Sequence, residues 1–295
     1  MSDYIVRATA ANETVRAFAI DSKEMTVEAR ERHKTFPVVT AAMGRLMSAT
    51  AMMGSMMKGE NDKLTVTIKG DGPIHQMTVT VDSHGNVKGF PANPNVDIPL
   101  KYAGKLDVGA AVGAGTMTVS MDLGLKEPYN GQVELRTGEI GDDFAYYFTV
   151  SEQTPSAVGL GVMINKDSTV RHSGGFIIQM MPDAEEETIA QLETNLQNAA
   201  TVSQMLEKGM TPEDMLNLLL QDLKPEILET SPVRFHCGCS KDHVARALST
   251  IQTGELDQMI QDGETIEVKC HFCNSTYRFT VPELEEILKQ RNQNE

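Results

Sequence analysis

Leu64-Thr-Val-Thr-Ile68 alternates apolar and polar residues at the period of a half-buried strand, then stops at the turn cluster Lys69-Gly-Asp-Gly-Pro73. Met77-Thr-Val-Thr-Val81 repeats the pattern, and with Val87 to Phe90 it flanks Asp82-Ser-His-Gly85 as a hairpin. The same alternation predicts strands at Thr116–Met121, Gln132–Arg136, Ala157–Ile164 and Gly175–Met181. Helices are predicted near Val38–Met57 and Asp142–Gln153, the latter opened by the acidic pair Asp142-Asp143. Strands and helices mixed in this way, without a repeating strand–helix alternation, predict an α+β fold rather than a doubly wound sheet.

The pattern changes over about 182–230. Asp183 and Glu186 resemble a helix-start box, and Ile189, Leu192, Leu196 and Ala199 follow at helical spacing. Thr211-Pro-Glu-Asp214 combines a capping hydroxyl, proline at the first helical position and acids in the first turn. Met215, Leu216, Leu219, Leu220 and Leu223 form the apolar stripe behind it, and Lys224-Pro225 ends it. Outward positions are strongly acidic, among them Glu185, Glu186, Glu187, Glu193 and Glu213. Helices this short are marginal alone, so their apolar faces are expected to dock on the preceding sheet. The expected organisation is an N-terminal mixed domain over 1–181, an acidic helical linker over 182–230 and a small C-terminal domain over 231–295.

At 295 residues the chain exceeds the usual span of one core. A formal charge of −15 disfavours a general nucleic-acid binder, whose affinity depends on a basic footprint. No secretory signal is evident at the start, and the apolar stretch Phe36–Met57 carries Arg45 with many Ser, Thr and Gly residues, so it reads as a buried helix rather than a membrane span. A cytoplasmic location is therefore expected, with no membrane partner. Met43, Met47, Met52, Met53, Met56 and Met57 crowd that helix, and Met205, Met210 and Met215 recur later. Thioethers suit irregular cores and adaptable binding surfaces alike, with core filling the default.

All four cysteines fall in the last sixty residues, as Cys237-Gly-Cys239 and Cys270-His-Phe-Cys273. Two close thiolate pairs separated by a segment long enough to fold back make a tetrahedral set for one Zn²⁺ per chain. The segment between them reads as a helix over Lys241–Thr250 and a strand over Glu264–Val268. Beyond them come a strand over Thr276–Thr280 and a terminal helix opened by Pro282, so the second pair sits on a hairpin knuckle. His236, His243 and His271 lie near, but four thiolates already complete the ligand set. With few large apolar side chains the zone needs the metal: structural zinc contributes about 10–16 kcal/mol, more than the usual stability of a small domain. Metal-bound thiolates are also nucleophilic toward peroxide or hypochlorous acid where solvent reaches them. Spacing alone leaves open an inert structural clip, a redox sensor, a zinc ribbon that docks nucleic acid or protein, and a thiol–disulfide oxidoreductase working through Cys270 and Cys273.

Elsewhere the signals are weak. Gly109, Gly113 and Gly115 lack the Gly-Lys-Ser/Thr of a phosphate loop and read as a mobile loop, and His75, His84 and His172 read as solvated surface. No nucleophile–base arrangement stands out, so the chain is not expected to be an enzyme.

With Cys-x-Cys, a thirty-residue spacer, and Cys-His-Phe-Cys followed by Tyr277 and Phe279, the C-terminal zone resembles the redox-regulated heat-shock protein 33 family. Softer matches run along nearly the whole chain: Gly72-Pro73, Pro128-Tyr129-Asn-Gly131, Tyr147-Phe148 with Ser151-Glu152-Gln153, and Gly174-Gly175-Phe-Ile-Ile-Gln179. The resemblance implies an ATP-independent holdase that binds unfolding client proteins during oxidative stress, inactive when reduced and zinc-bound. It implies that the N-terminal domain binds clients and dimerises, and that Cys237, Cys239, Cys270 and Cys273 ligate zinc. On oxidation it implies pairing of Cys237 with Cys239 and of Cys270 with Cys273, loss of zinc, loosening of the linker, and a homodimer as the active form.

Overall fold

The Met-rich apolar segment is one helix over Pro37–Gly54, buried nearly all round, and a computed structural model describing residues 2–294 shows what surrounds it. In chain order the elements are β1 (Tyr4–Ala10), β2 (Val15–Asp21), α1 (Lys23–His33), α2 (Pro37–Gly54), β3 (Lys63–Gly70), β4 (Gln76–Asp82) and β5 (Asn86–Pro91). There follow α3 (Val108–Val112), β6 (Gly115–Asp122), β7 (Tyr129–Glu134), α4 (Gly141–Val150), β8 (Ser156–Ile164) and β9 (Val170–Met180). Three helices come next, α5 (Glu186–Asn198), α6 (Val202–Glu207) and α7 (Pro212–Leu219), then β10 (Glu226–Pro232) and β11 (Arg234–Phe235). The last stretch holds α8 (Lys241–Leu248), α9 (Thr253–Gln261), β12 (Ile266–Lys269), β13 (Thr276–Phe279) and α10 (Val281–Asn294). The fold is α+β, and the chain divides into two compact units, Met1–His236 and Cys237–Glu295.

In the first unit α2 lies between two sheets. One has the order β10-β1-β2-β9-β8 and the other β11-β5-β4-β3-β6-β7, antiparallel throughout except where β11 runs parallel to β5. Strand alternation decides which side chains meet α2. Phe18, Ile20 and Ile177 from the first sheet and Val66, Val79 and Val119 from the second share a core with Met43, Leu46, Met47 and Met52. The methionines of α2 are therefore core. Met56 and Met57, just beyond it, are half-buried and line a cavity of about 340 Å³ with Met53, Met121 and Phe148. Ser22, Ser48, Ser173 and Thr26 satisfy one another's hydroxyls in the middle of this core, at 2.7–2.9 Å.

The other face of the five-stranded sheet is apolar too, because α6 and α7 cover it. Val6, Ala8, Ala17, Ala19, Phe176 and Ile178 pack there against Met205, Leu206, Met215, Leu216 and Leu219. The small alanines let the helices approach closely. α7 starts as its sequence predicts, with Thr211 and Asp214 forming a reciprocal capping box and Pro212 in the first turn. The end of the 182–230 segment departs from helix: Glu226–Pro232 is a strand, paired antiparallel with β1. The glycine-rich stretch expected to be a mobile loop is instead built into the fold. Gly109 belongs to α3, and Gly113, at φ 77, is the turn beyond it, where a Cβ would stand 2.1 Å from Asp71 Oδ1.

The second unit has a small core of its own: among the described residues Leu248, Leu256, Phe279, Leu284 and Ile287 are buried outside the cysteine cluster, with partly buried side chains such as Ile251, Met259 and Ile260 packed against them. None of the described helices in the chain is long and apolar enough to cross a membrane.

Candidate metal centre

Each cysteine is placed by a short local structure. Cys237 follows β11 by two residues, and Cys239 precedes α8, whose cap Ser240 accepts a hydrogen bond from the His243 N–H at 3.1 Å. Cys270 and Cys273 form the turn of the β12–β13 hairpin. There the Asn274 N–H donates to the Cys270 carbonyl at 2.8 Å and the Cys270 N–H to the Ser275 carbonyl at 2.9 Å. The tight return requires left-handed backbone at Asn274, φ 61, which asparagine tolerates better than most residues.

The result brings all four sulfurs within 4.8 Å of one another. Cys237 Sγ lies 3.8 Å from Cys270 Sγ, and Cys239 Sγ lies 3.1 Å from Cys273 Sγ. A regular tetrahedron with Zn–S bonds of 2.3 Å has S···S edges of about 3.8 Å, whereas a disulfide is about 2.05 Å long. The spacing is that of a ligand cage with free thiols at its corners. Cys273 is buried and the other three are half-buried, so solvent reaches part of the set. No histidine joins the cluster among the described residues, and His236, His243 and His271 are exposed.

Burial makes two of the thiols, Cys237 and Cys239, poor anions. Burial pushes Cys237 far above the ordinary thiol range, helped by the nearby Cys239, Cys273 and Cys270, and burial likewise raises Cys239. Burial acts upward on Cys273 as well, but hydrogen bonding with Ser275 and Cys239 outweighs it and holds that thiol at about 7. A cation at the centre of the four would reverse the repulsion and favour all of them as thiolates. The donor set of four soft sulfurs, without carboxylate or imidazole, fits a thiophilic ion of zinc type.

One partner of the sulfurs escaped the sequence reading. The Tyr277 hydroxyl sits 3.0 Å from Cys239 Sγ, and that hydrogen bond raises the phenol to about 12, as expected of a donor to sulfur. Ser275 Oγ lies 3.3 Å from Cys273 Sγ. Around the cage, Lys241 at the start of α8 pairs at 2.5 Å with Glu283, which also accepts from the Thr280 N–H at the start of α10. Lys241 and the Thr280 hydrogen bonds hold the Glu283 carboxyl down at about 2.

The remaining sequence candidates stay apart. His75 and His84 are exposed, His172 is half-buried on β9, and none belongs to a metal-holding group among the described residues. Asp143 caps α4, accepting from the N–H groups of Arg136, Thr137 and Ile140 at 2.6–3.0 Å.

The family model described as Hsp33 protein matches residues 3–280. The chain is 58% identical over 287 residues to the 33 kDa chaperonin of Agathobacter rectalis, covering 97% of this chain and all of that one. It is 51% identical over 291 residues to the 33 kDa chaperonin of Clostridioides difficile, covering 98% and 100%. The crystal structure of the 33 kDa chaperonin from Thermotoga maritima superposes with a TM-score of 0.92 at 35% identity, covering 99% of this chain and 100% of that one.

Proposed function

The chain belongs to the Hsp33 family, and from that premise we propose that it is a redox-regulated, ATP-independent holdase rather than an enzyme. Its relatives are named chaperonins, and a chaperone of this kind binds unfolded polypeptides. One observation carries the redox reading: four sulfurs within 4.8 Å of one another, partly open to solvent, in a unit whose fully buried hydrophobics among the described residues are few.

Cys237, Cys239, Cys270 and Cys273 hold one zinc ion in the reduced protein. When bound, the ion keeps the sulfurs as thiolates and ties the Cys237–Cys239 segment to the β12–β13 knuckle. A peroxide then meets thiolates already formed. Two peroxides take four electrons from four thiolates and four protons from solvent, giving two disulfides and four waters. The pairs are Cys237 with Cys239 and Cys270 with Cys273. The ligand set is destroyed, the ion is released, and Leu248, Leu256, Phe279, Leu284 and Ile287 alone do not hold the unit together. The acidic helices α5–α7 lie further back along the same chain, and their loosening from the sheet exposes apolar surface to clients. The active form is a homodimer in the cytoplasm, with no nucleic-acid or membrane partner.

Zinc quantification with thiol titration tests this before and after peroxide. The expected result is one zinc per chain, lost as four thiols disappear, with peptide mapping linking Cys237 to Cys239 and Cys270 to Cys273. Retention of zinc after the thiols have reacted contradicts the reading.

A further inference from the structure

β8 is an edge strand of the five-stranded sheet; α4 packs against it, with Gly141 beside Val158, and the strand's own sequence carries nothing that discourages pairing. Sheet edges present unpaired N–H and C=O groups, and chains ordinarily blunt them with charge, proline or shortness. The opposite edge follows that habit: β10 carries Glu226 and Glu229 and ends at Pro232. In the second sheet, β11 is only two residues long and β7 ends in Glu134. β8 is nine residues, Ser-Ala-Val-Gly-Leu-Gly-Val-Met-Ile, without a charge or a proline.

Register identifies the open groups. Met180 N–H donates to the Pro155 carbonyl, while the Ser173 carbonyl accepts from Ser22 on the other side of β9. Even-numbered β9 residues therefore bond to β8, through the pairs Ala157–Ile178, Gly159–Phe176 and Gly161–Gly174. The backbones of Val158, Leu160 and Val162 point outward, and none of them takes part in a backbone hydrogen bond beyond the sheet among the described residues. They open on a cavity of about 900 Å³ that is also lined by Tyr102, Leu106, Leu196 and Val202. Its lining also carries Arg45 and Lys105 against Glu139 and Asp142, with Arg45 paired to Glu139 at 2.8 Å, so the charges of the lining balance.

We propose that an extended, uncharged apolar segment of an unfolded polypeptide adds to β8 as a sixth strand, bonding to the Leu160 and Val162 backbones while its side chains fill the cavity. The chemistry selects this occupant, because an extended polypeptide is the partner that offers N–H and C=O groups at strand spacing. Backbone pairing is also indifferent to sequence, as the capture of many different clients requires. The first turn of α4 sets one limit of the site, since a Cβ on Gly141 would stand 3.4 Å from the Val158 carbonyl, and the register shift between Met163 and Ile164 sets the other, so docking spans Leu160 to Val162. The inference rests on the holdase reading and adds where and how a client is held.

Amide hydrogen exchange on the oxidised full chain tests it, with reduced, carboxymethylated α-lactalbumin as a permanently unfolded probe. Exchange at Leu160 and Val162 is expected to slow about tenfold or more on binding, while Gly161, already bonded to β9, changes little. Leu160→Pro removes an outward N–H without breaking the β8–β9 ladder, and is expected to weaken capture about five- to tenfold. Should that variant misfold, the exchange experiment on the unaltered chain still decides. Probe bound with unchanged exchange at Leu160 and Val162 overturns the edge site and leaves the holdase reading standing. No probe bound at all overturns both. Slowing that follows protein concentration without probe assigns the edge to a second copy of the chain instead.

Discussion

Cys239 is steadied by a group outside the cysteine set, the Tyr277 hydroxyl at 3.0 Å. Partners of this kind typically carry ten- to hundredfold of metal affinity. Tyr277→Phe is therefore expected to weaken zinc retention about tenfold in competition with a chelator, with the fold of the Cys237–Glu295 unit preserved. A second residue-scale prediction concerns pH. Asp3 is buried, and burial pushes its carboxyl up to about 6 although the N–H groups of Met25 and Glu24 bond to it at 2.6 and 2.9 Å. Between about pH 4 and 6 the folded chain then binds more protons at this site than the unfolded chain, so stability falls as pH rises through that window and levels off above it. Asp3→Asn is expected to flatten that part of the curve, read as urea midpoints for variant and parent at pH 4.5 and 7. The cysteines were legible in the sequence because two short thiolate spacings are rare and chemically specific. Tyr277 was visible only as a neighbour of the motif. Its role depends on the hairpin that pairs it with Val268 and on a sulfur 38 positions earlier, which no local period encodes.

At the scale of elements, legibility followed the burial of faces. β3, β4 and β6 have one face on α2 and threonines on the other, so their alternation is plain, and α7 announces itself through Thr211, Pro212 and Asp214. β1 and β2 are buried on both faces, with Ile5, Phe18 and Ile20 toward α2 and Val6, Ala8, Ala17 and Ala19 toward α7, which erases the apolar–polar alternation. α1 buries Met25, Thr26 and Ala29 and is otherwise mostly charged, too narrow a stripe for a helical period. β10 lies beyond the Lys224-Pro225 stop, inside the stretch read as an acidic helical linker; its residues are mostly exposed, and only the free edge of β1 makes it a strand. In the proposed switch the middle helices are the element that moves, and their hold on the sheet can be measured. Leu216→Ala empties a fully buried position and is expected to cost about 2–4 kcal/mol. Thr211→Ala removes the cap and is expected to cost about 1 kcal/mol. Both should bring α7 amide exchange in the reduced protein closer to that of the oxidised protein. Unchanged protection in Leu216→Ala contradicts a marginal docking.

For the whole molecule, the contrast is between a well-filled first unit and a second unit with a smaller core beside four clustered sulfurs. The first holds its core through two sheets around α2, with further apolar packing beneath α6 and α7. The second has a short run of buried side chains beside a cage whose geometry suits a metal. A net charge of −15 favours solubility, which the proposed exposure of apolar surface would require. The measurement that bears most directly on the central claim is light scattering of a thermally unfolding client, with reduced zinc-loaded protein and peroxide-treated protein at equal concentration and without ATP. The account predicts suppression of aggregation by the oxidised protein and little by the reduced one. Equal suppression by both contradicts it.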